Sequence, residues 1–426
     1  MPLSVQPIGI QGGLNSVYPL IPQILRYICA PMRFPFLILL SSFWLSACYY
    51  APGPLPAQFA VQAETPKPKL PAYLEKFVEE YARYFEDSME LTHTPGAALV
   101  IVKDSQIIFI HGYGPRYVGG KDSIDEHTVF RIGSLSKGFA GVLTGMMVQD
   151  KRFAWEDPVQ EYYPEFALRD RKQTGRIRLW HLLSHTTGLP YHAFTNLIEK
   201  DISVPKIVSE YFPKAPVSGK EGEFYAYQNV ALCVIEEVMH HQTGKSYPQL
   251  LAEKIFVPAG MLHASCDFES MHHEVNKTFP HFATGAGTWR SDSISALYYN
   301  AAAAGGVNAS IADMGQWLKM LLGNRPDMVA DTTLDRVFQP VVKTDKERRI
   351  FPHWLRRDAA SYALGWRVLD DDGDTILYHG GYVNGYKSEI ALNRRDGIGI
   401  CVLFNAHTPL SSACIPAFFE QWKARG

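Results

Sequence analysis

The sequence predicts an α/β protein of the α+β kind, with one antiparallel sheet built from both chain ends and a mostly helical half inserted between them. Two apolar runs, 97–102 and 106–110, surround a polar turn near the start of the domain, and strand-like runs recur at 375–378, 386–392 and 398–404. The long stretch between these groups has the apolar spacing of helices. Strands at both ends with helices between favour one sheet covered by helices.

The individual elements follow in chain order. Apolar residues at helical spacing predict an amphipathic first helix, and they are Leu74, Phe77, Val78, Tyr81 and Phe85. The folded domain is therefore expected to cover residues 72–426. Further helices are expected after residue 134 and over 229–239. A polar turn at 394–397 is predicted to join the last two strands, and a helix over 411–423 is predicted to close the chain.

Charge and composition exclude several classes of function. The chain has 41 Lys and Arg against 43 Asp and Glu, without a run of five like charges, so no nucleic-acid partner is expected. No HExxH, P-loop or CxxC motif occurs, and neither a metal nor an organic cofactor is expected. Cys233 and Cys401 lie in apolar runs and are predicted to be buried free cysteines.

The N-terminal region indicates export. Its hydrophobic stretch, 34–47, is about 14 residues long, whereas a membrane-spanning helix needs roughly 20. Residues 32–47 are therefore predicted to be a signal peptide. The small residues before Cys48 resemble a lipobox, which implies a lipid anchor at Cys48 in a bacterial membrane. The protein would then be periplasmic or on the cell surface. The alternative is an ordinary signal peptide cleaved nearby.

The remaining N-terminal segments have no catalytic motif. Residues 1–31 match no targeting pattern and are interpreted as an over-extended start. Residues 48–71 are rich in proline and are predicted to form an extended stalk.

The candidate nucleophile is Ser134, in the sequence Ser-Leu-Ser-Lys. Three residues separate it from Lys137, so both side chains share one face where a helix begins. The lysine could take the serine proton if burial or a neighbouring positive charge lowers its pKa. Ser203 and Lys206 have the same spacing, but Ser203 could simply cap a helix that has Pro205 in its first turn.

Two later motifs distinguish Ser134 from Ser203. Tyr227 opens a Tyr-Gln-Asn motif 93 residues downstream, and His379 opens His-Gly-Gly 152 residues further on. In this order, the motifs resemble those of class C β-lactamases, DD-peptidases and related esterases. The segments 130–134, 182–190 and 304–307 are also similar to segments of this family, which implies a β-lactamase/transpeptidase-like fold. His185, within the second segment, is predicted to brace a loop.

The resemblance implies a role for each site residue. Ser134, Lys137 and Tyr227 would be catalytic, with the tyrosine sharing or relaying the serine proton. The substrate-binding group would comprise Asn229, which donates its amide to the acyl group, together with His379, Gly381 and Tyr382. The backbone N–H of Tyr382 would be the second oxyanion donor, and Gly381 would permit close approach.

The predicted function is that of a serine hydrolase that forms an acyl-enzyme on a peptide, amide or ester carbonyl. Its substrate would be a small molecule or a fragment of peptidoglycan, with D-alanyl cell-wall peptides as the first candidate. Gly380 replaces the family's threonine, whose hydroxyl helps to bind a substrate carboxylate, so β-lactamase activity is an alternative and not the first choice. A second alternative is a lipoprotein that binds cell-wall peptides without turnover.

Overall fold

The main sheet has eight strands and is antiparallel throughout. The computed structural model describes residues 70–344, 357–371 and 373–425, with only the backbone at 357–359. Strand order in the main sheet is β2-β1-β12-β11-β10-β9-β8-β7, while β3 pairs with β6 and β4 with β5. The strands are β1 Ala97–Lys103, β2 Gln106–Tyr113, β3 Val129–Arg131, β4 His281–Gly285, β5 Thr288–Ser291, β6 Asn308–Ser310, β7 Val342–Lys343, β8 Arg357–Tyr362, β9 Arg367–Asp371, β10 Asp374–Val383, β11 Tyr386–Asn393 and β12 Ile398–Phe404.

Most of the helices lie between β2 and β7 in the chain. They are α1 Ala72–Leu91, α2 Ser136–Gln149, α3 Val159–Tyr162, α4 Arg171–Thr174, α5 Leu179–Leu183, α6 Thr195–Ile198, α7 Val204–Glu210, α8 Asn229–Thr243, α9 Tyr247–Leu251, α10 Val257–Ala259, α11 Phe268–His273, α12 Ala302–Gly305, α13 Ile311–Leu321, α14 Asp331–Phe338 and α15 Leu410–Ala424. Within the described ranges, no helix combines the length and apolarity needed to cross a membrane.

Both faces of the sheet are buried, and alternation along the strands assigns each side chain to a face. In β1, Leu99 and Ile101 face α1 and α15, whereas Val100 and Val102 face the large helical half. The core between the sheet and helices α1 and α15 is rich in aromatic rings. There α1 contacts α15 through Phe77 and Phe418, whose ring centroids lie 5.3 Å apart. Because such rings are fully enclosed, truncating Phe418 to alanine would cost about 3–5 kcal/mol of stability.

The predicted fold class is confirmed. Strand β1, from the N-terminal part, pairs with β2 on one side and with β12, from the C-terminal part, on the other, so the sheet joins the two chain ends as expected. The structure corrects one detail, because the run 375–378 and the segment after His379 form one uninterrupted strand, β10. The signal peptide, Cys48 and the stalk lie outside the described residues.

One edge of β10 is only partly covered, and this positions the site. Strand β9 pairs with β10 over residues 374–378 and then departs, while β11 accompanies β10 from residue 377 to residue 383. The unpaired edge of 379–383 faces the start of α2. A peptide-like group can therefore approach the backbone there.

Candidate active site

Ser134 lies in a tight turn that leads into α2. Gly133–Leu135 forms one turn of 3₁₀ helix, and α2 continues from Ser136. Gly133 has a φ of +51°, in the left-handed region that favours glycine. The Ser136 hydroxyl donates to the Gly133 carbonyl at 2.7 Å and accepts from the backbone N–H of Val307 at 3.1 Å. This second serine of the motif, whose role the sequence did not reveal, braces the turn that carries the nucleophile.

Lys137 reaches Ser134 from the next turn of the helix. Its Nζ lies 3.0 Å from Oγ of Ser134 and 2.7 Å from the carbonyl oxygen of Ala304. The lysine is fully buried. Burial lowers its pKa to about 7, and the positive charge of Arg367 lowers the pKa as well, although Cys233 acts in the opposite direction. A substantial fraction of this amine is therefore neutral near pH 7 and able to accept a proton.

Tyr227 also lies within hydrogen-bonding distance of Ser134. Its hydroxyl lies 3.0 Å from Oγ of Ser134, and its ring centroid lies 4.8 Å from Nζ of Lys137. The structure thus brings together the three predicted catalytic side chains, although 93 residues separate the serine from the tyrosine.

His185 holds the backbone on either side of this tyrosine. The N–H of Gln228 donates to Nδ1 of His185 at 3.2 Å, and the N–H of Ala226 donates to its carbonyl at 3.0 Å. Burial keeps the pKa of His185 well below its usual value, with the charge of Lys137 acting in the same direction. His185 is therefore a neutral residue in a left-handed conformation, with φ of +58°, that fixes the Tyr227 loop.

Strand β10 packs closely against the turn that carries Ser134. A Cβ placed on Gly381 would lie 2.3 Å from the Ile132 carbonyl and 3.1 Å from the amide nitrogen of Ser134. A Cβ on Gly133 would lie 2.9 Å from the amide nitrogen of Tyr382. Only glycines therefore permit the Ser134 turn to pack against β10. This packing brings the backbone of Ser134 close to that of Gly381 and Tyr382, the two strand residues predicted to help form the oxyanion site.

Asn229 begins α8 and lies at the cavity wall. Its Nδ2 donates to the hydroxyl of Tyr298 at 2.7 Å and to that of Thr195 at 3.4 Å. Tyr298 belongs to a Tyr-Tyr-Asn triplet that repeats the pattern of the Tyr227 motif, and its own contribution to this wall was not apparent from the sequence.

His379 has a different environment from the one predicted. It is 1% exposed and does not line the cavity. Its Nε2 lies 3.0 Å from the hydroxyl of Tyr362, and its Nδ1 lies 2.9 Å from the carbonyl oxygen of Gly380. Burial keeps its pKa well below the usual value, with Arg367 and Lys137 acting in the same direction. His379, predicted as a substrate-binding residue, is therefore a neutral residue behind the cavity wall.

The site opens into a cavity of about 600 Å³. Ser134, Tyr227, Asn229, Gly381 and Tyr382, five of the seven predicted site residues, line it; the exceptions are Lys137 and His379.

Arg367, on β9, also lines the cavity. Its NH1 lies 3.5 Å from Nε2 of His379, and its guanidinium carbon lies 5.4 Å from the centroid of the Tyr227 ring. This cation belongs to no motif, so the sequence offered no signal for it.

Gly380 occupies the position at which the family has a threonine. A Cβ on Gly380 would lie 2.8 Å from the hydroxyl of Tyr378 and 3.0 Å from Oε2 of Glu389. Glu389 is buried, accepts a hydrogen bond from Tyr378 at 2.5 Å and pairs with Lys387. Burial raises the pKa of its carboxyl group. A threonine at position 380 would therefore collide with a buried polar cluster.

The rival motif does not assemble a site. Ser203 immediately precedes α7, and its side chain makes no capping hydrogen bond. Both Ser203 and Lys206 are exposed.

Cys233 and Cys401 are buried and free, as predicted. Within the described ranges, no three His, Cys, Asp or Glu side chains lie close enough together to hold a metal ion.

Two known proteins are similar to this chain in sequence. Protein flp of Staphylococcus aureus (strain N315) is 24% identical over 350 residues, which cover 80% of this chain and 65% of that protein. The unguisins hydrolase ungD' of Aspergillus campestris is 24% identical over 346 residues, 78% of this chain and 62% of that protein. The chain thus spans slightly less than two thirds of these relatives' length.

A solved structure and a family model extend the comparison. The octameric penicillin-binding protein homologue from Pyrococcus abyssi superposes with a TM-score of 0.69 at 21% identity, covering 80% of this chain and 77% of that one, and so shares the fold. The model of the family described as Beta-lactamase matches residues 81–420. This range contains Ser134, Tyr227 and β10. The chain therefore belongs to the beta-lactamase family.

Proposed function

We propose that this protein is a serine hydrolase that cleaves a peptide, amide or ester carbonyl through an acyl-enzyme on Ser134. The observation that carries the proposal is the convergence of Lys137 Nζ and Tyr227 hydroxyl on Oγ of Ser134, each at 3.0 Å. A serine hydroxyl is a weak nucleophile until a nearby base takes its proton. Lys137 and Tyr227 can both exchange protons with the serine and supply that requirement.

The proposed reaction proceeds in two stages. The neutral amine of Lys137 takes the proton as Oγ of Ser134 attacks the carbonyl carbon, and the N–H groups of Ser134 and Tyr382 stabilise the oxyanion. Tyr227 relays a proton to the leaving amine or alcohol, which departs. Water then attacks the acyl-enzyme with its proton taken by the same groups, and Ser134 regains its hydrogen when the acid product leaves.

The residues around the cavity favour a substrate with a carboxylate. Gly380 lacks the hydroxyl that the family uses for this purpose, but the guanidinium of Arg367 lines the same cavity, as does Lys387. Since an arginine can bind a carboxylate through two parallel hydrogen bonds, it can replace the missing hydroxyl. Peptides ending in D-alanine combine a cleavable amide with a carboxylate and are the first candidate.

The two alternatives have less support. A β-lactamase would need the side chain that Gly380 lacks, and the contacts of a Cβ there with Tyr378 and Glu389 disfavour its insertion. A binding protein without turnover would have no need for a buried lysine whose pKa is about 7 beside the serine. The name of the Aspergillus relative, a hydrolase of unguisins, is consistent with catalysis.

Turnover tests this function directly. The purified chain and its Ser134→Ala variant would be incubated with N-acetyl-D-alanyl-D-alanine, short-chain nitrophenyl esters, a fluorescent penicillin and a chromogenic cephalosporin. We expect Ser134-dependent hydrolysis of the peptide or esters and an acyl adduct visible by intact mass. Equal turnover by both proteins would contradict the mechanism, and cephalosporin hydrolysis far exceeding that of the peptide would favour the β-lactamase alternative.

Export and lipidation at Cys48 are part of the proposal, because they would bring the enzyme to cell-wall peptides. The intact mass of the protein from bacterial membranes would show a diacylglyceryl group on a chain beginning at residue 48. A mass that includes residues 1–47 would contradict this part of the proposal and leave the catalytic part standing.

A further inference from the structure

The amide of Asn229 is already engaged within the protein. Its Nδ2 donates to the Tyr298 hydroxyl at 2.7 Å, and the residue is only 4% exposed. Its Oδ1 is buried and lacks a hydrogen-bond partner among the residues that the structure describes. The group that the family motif offers to the acyl part of a substrate is therefore occupied by a tyrosine hydroxyl.

Tyr298 is held in this place against its backbone preference. Its φ is +79°, a value that bulky side chains rarely adopt. Such conformations persist where surrounding structure enforces them, and they concentrate at functional sites. Strain alone does not assign a role, but the same residue lines the catalytic cavity.

Arg131 supplies the enforcing contacts. This buried arginine, three residues before Ser134, donates to the carbonyls of Ser295 and Leu297 at 2.8 and 2.9 Å, and its guanidinium carbon lies 4.2 Å from the centroid of the Tyr299 ring. The segment leading to Tyr298 is thus tied to the strand that leads to the nucleophile. These bonds anchor the backbone that immediately precedes Tyr298.

Hydrogen-bond chemistry indicates what the hydroxyl does. An amide NH₂ only donates, so the oxygen of Tyr298 accepts from Asn229 and its own hydrogen is directed elsewhere. A hydroxyl that accepts from an amide is also polarised as a donor. Since Tyr298 lines the cavity, its hydrogen is available to an acceptor on the substrate.

We infer that Tyr298 is a specificity-determining residue that donates a hydrogen bond to the amide carbonyl on the acyl side of the substrate, with Asn229 acting through it as a positioning residue. The inference rests on the proposed function. It predicts a preference for acyl groups that carry an acylamino substituent on the carbon next to the reacting carbonyl, as the penultimate residue of a peptide does.

A matched pair of esters isolates this contact. The p-nitrophenyl esters of propionic acid and of N-acetyl-D-alanine differ only in the acetamido group on the α-carbon. Values of kcat/KM for both would be measured with the full chain and with Tyr298→Phe, Asn229→Ala and the double variant. Tyr299→Phe is the control, because the neighbouring hydroxyl bonds Asn308 instead.

We expect Tyr298→Phe to lower the ratio of kcat/KM for the acetamido ester over the plain ester about tenfold, the size of one neutral hydrogen bond. Asn229→Ala should lower the ratio by a similar factor, and the double variant by no more than either single one, while Tyr299→Phe retains the ratio of the unaltered chain.

Three results would overturn the inference. An unchanged ratio in Tyr298→Phe would show that Tyr298 does not contact the acetamido group, and a higher ratio would mean that the tyrosine only blocks Asn229. If the double variant lowered the ratio by the product of the two single effects, Asn229 would contact the substrate itself. Failure of the proposed function has a different signature, because Ser134→Ala and the unaltered chain would then hydrolyse both esters equally.

Discussion

The Nζ atom of Lys137 donates a hydrogen bond to the carbonyl oxygen of Ala304 at 2.7 Å, within a site that is closed to solvent around the lysine. This bond orients the amine toward Ser134, and burial lowers its pKa to about 7. The lysine is therefore positioned by one helix turn, α12, and its surroundings keep part of the amine neutral near pH 7, so that it can accept a proton.

The first prediction concerns the pH dependence of acylation. Below pH 7 the Lys137 amine is protonated and cannot accept the serine proton, so kcat/KM should rise with pH through about 7 and level off above it. Lys137→Met should lower kcat/KM at least a hundredfold, on the order expected for loss of a general base. Stopped-flow burst kinetics with a nitrophenyl ester would measure both effects.

Lys206, in the rival Ser-x-x-Lys motif, is the matched control for that prediction. It is exposed, and Lys206→Met should retain both the rate and the pH profile. A profile without a rise between pH 6 and 8 in the unaltered chain would argue against the lysine as the base.

A second prediction concerns the packing of β10 against the nucleophile. In Gly381→Ala, the new methyl would meet the Ile132 carbonyl and the Ser388 hydroxyl at 2.3 Å, so β10 must move away from Ser134 and the oxyanion site must open. We expect acylation to fall by about 10²–10³, the loss typical of an oxyanion-hole donor. Burst kinetics would measure the fall, with circular dichroism to verify folding.

Gly175→Ala is the comparison for this substitution, because its methyl would meet no atom closer than 3.9 Å. It should leave acylation and the unfolding midpoint as they are. Normal acylation by Gly381→Ala would show that the two amides do not act together as an oxyanion site.

A third prediction concerns Arg367. Replacing it with glutamine removes a positive charge from the cavity wall and from the surroundings of Lys137, where that charge lowers the lysine pKa. Arg367→Gln should therefore raise KM for N-acetyl-D-alanyl-D-alanine, with little change in KM for the methyl ester of the same peptide. It should also move the rise in kcat/KM to higher pH.

These two effects have separate readouts, which are substrate saturation curves and the pH profile. Arg336, outside this cavity, supplies the control as Arg336→Gln. Equal increases in KM for the free peptide and its methyl ester would contradict carboxylate binding by Arg367, whatever the pH profile shows.

A fourth prediction concerns stability. Glu236 accepts a hydrogen bond from the backbone N–H of Ala303 at 2.7 Å, next to the Ala304 carbonyl that holds Lys137, and burial raises its pKa from 4.5 to about 7. Between these values the unfolded chain releases this proton and the folded chain retains it. The contribution of Glu236 to the free energy of unfolding should therefore fall as pH rises from about 4.5 to about 7 and then remain level.

Glu236→Gln should remove this dependence while keeping an acceptor for Ala303. Urea unfolding at pH 5, 6, 7 and 8 would measure it, with the exposed Glu253→Gln as control. The prediction fails if the difference in unfolding free energy between Glu236→Gln and the unaltered chain is the same at pH 5 and pH 7.

The sequence alone determined a large part of this protein. Strand-like runs at both ends predicted the antiparallel sheet, and the order of the Ser134, Tyr227 and His379 motifs predicted the family and the three side chains that meet at Oγ of Ser134. These features were accessible because side-chain periodicity and motif spacing report on neighbours along the chain. Burial of Cys233 and Cys401 followed from the same local patterns.

Only the tertiary structure decided what surrounds those residues. The alternation of β10 puts His379 and Gly381 on the face toward Ser134, but the packing of Tyr362 and Arg367 decides that His379 is covered. Arg367 reaches the site from a strand whose sequence carries no motif, and Tyr298 from a loop whose Tyr-Tyr-Asn triplet did not by itself indicate a place at the site. Their proximity to Tyr227 and Asn229 results from strand pairing and loop packing between segments some 70 to 140 residues apart, which is contact information that no local pattern contains.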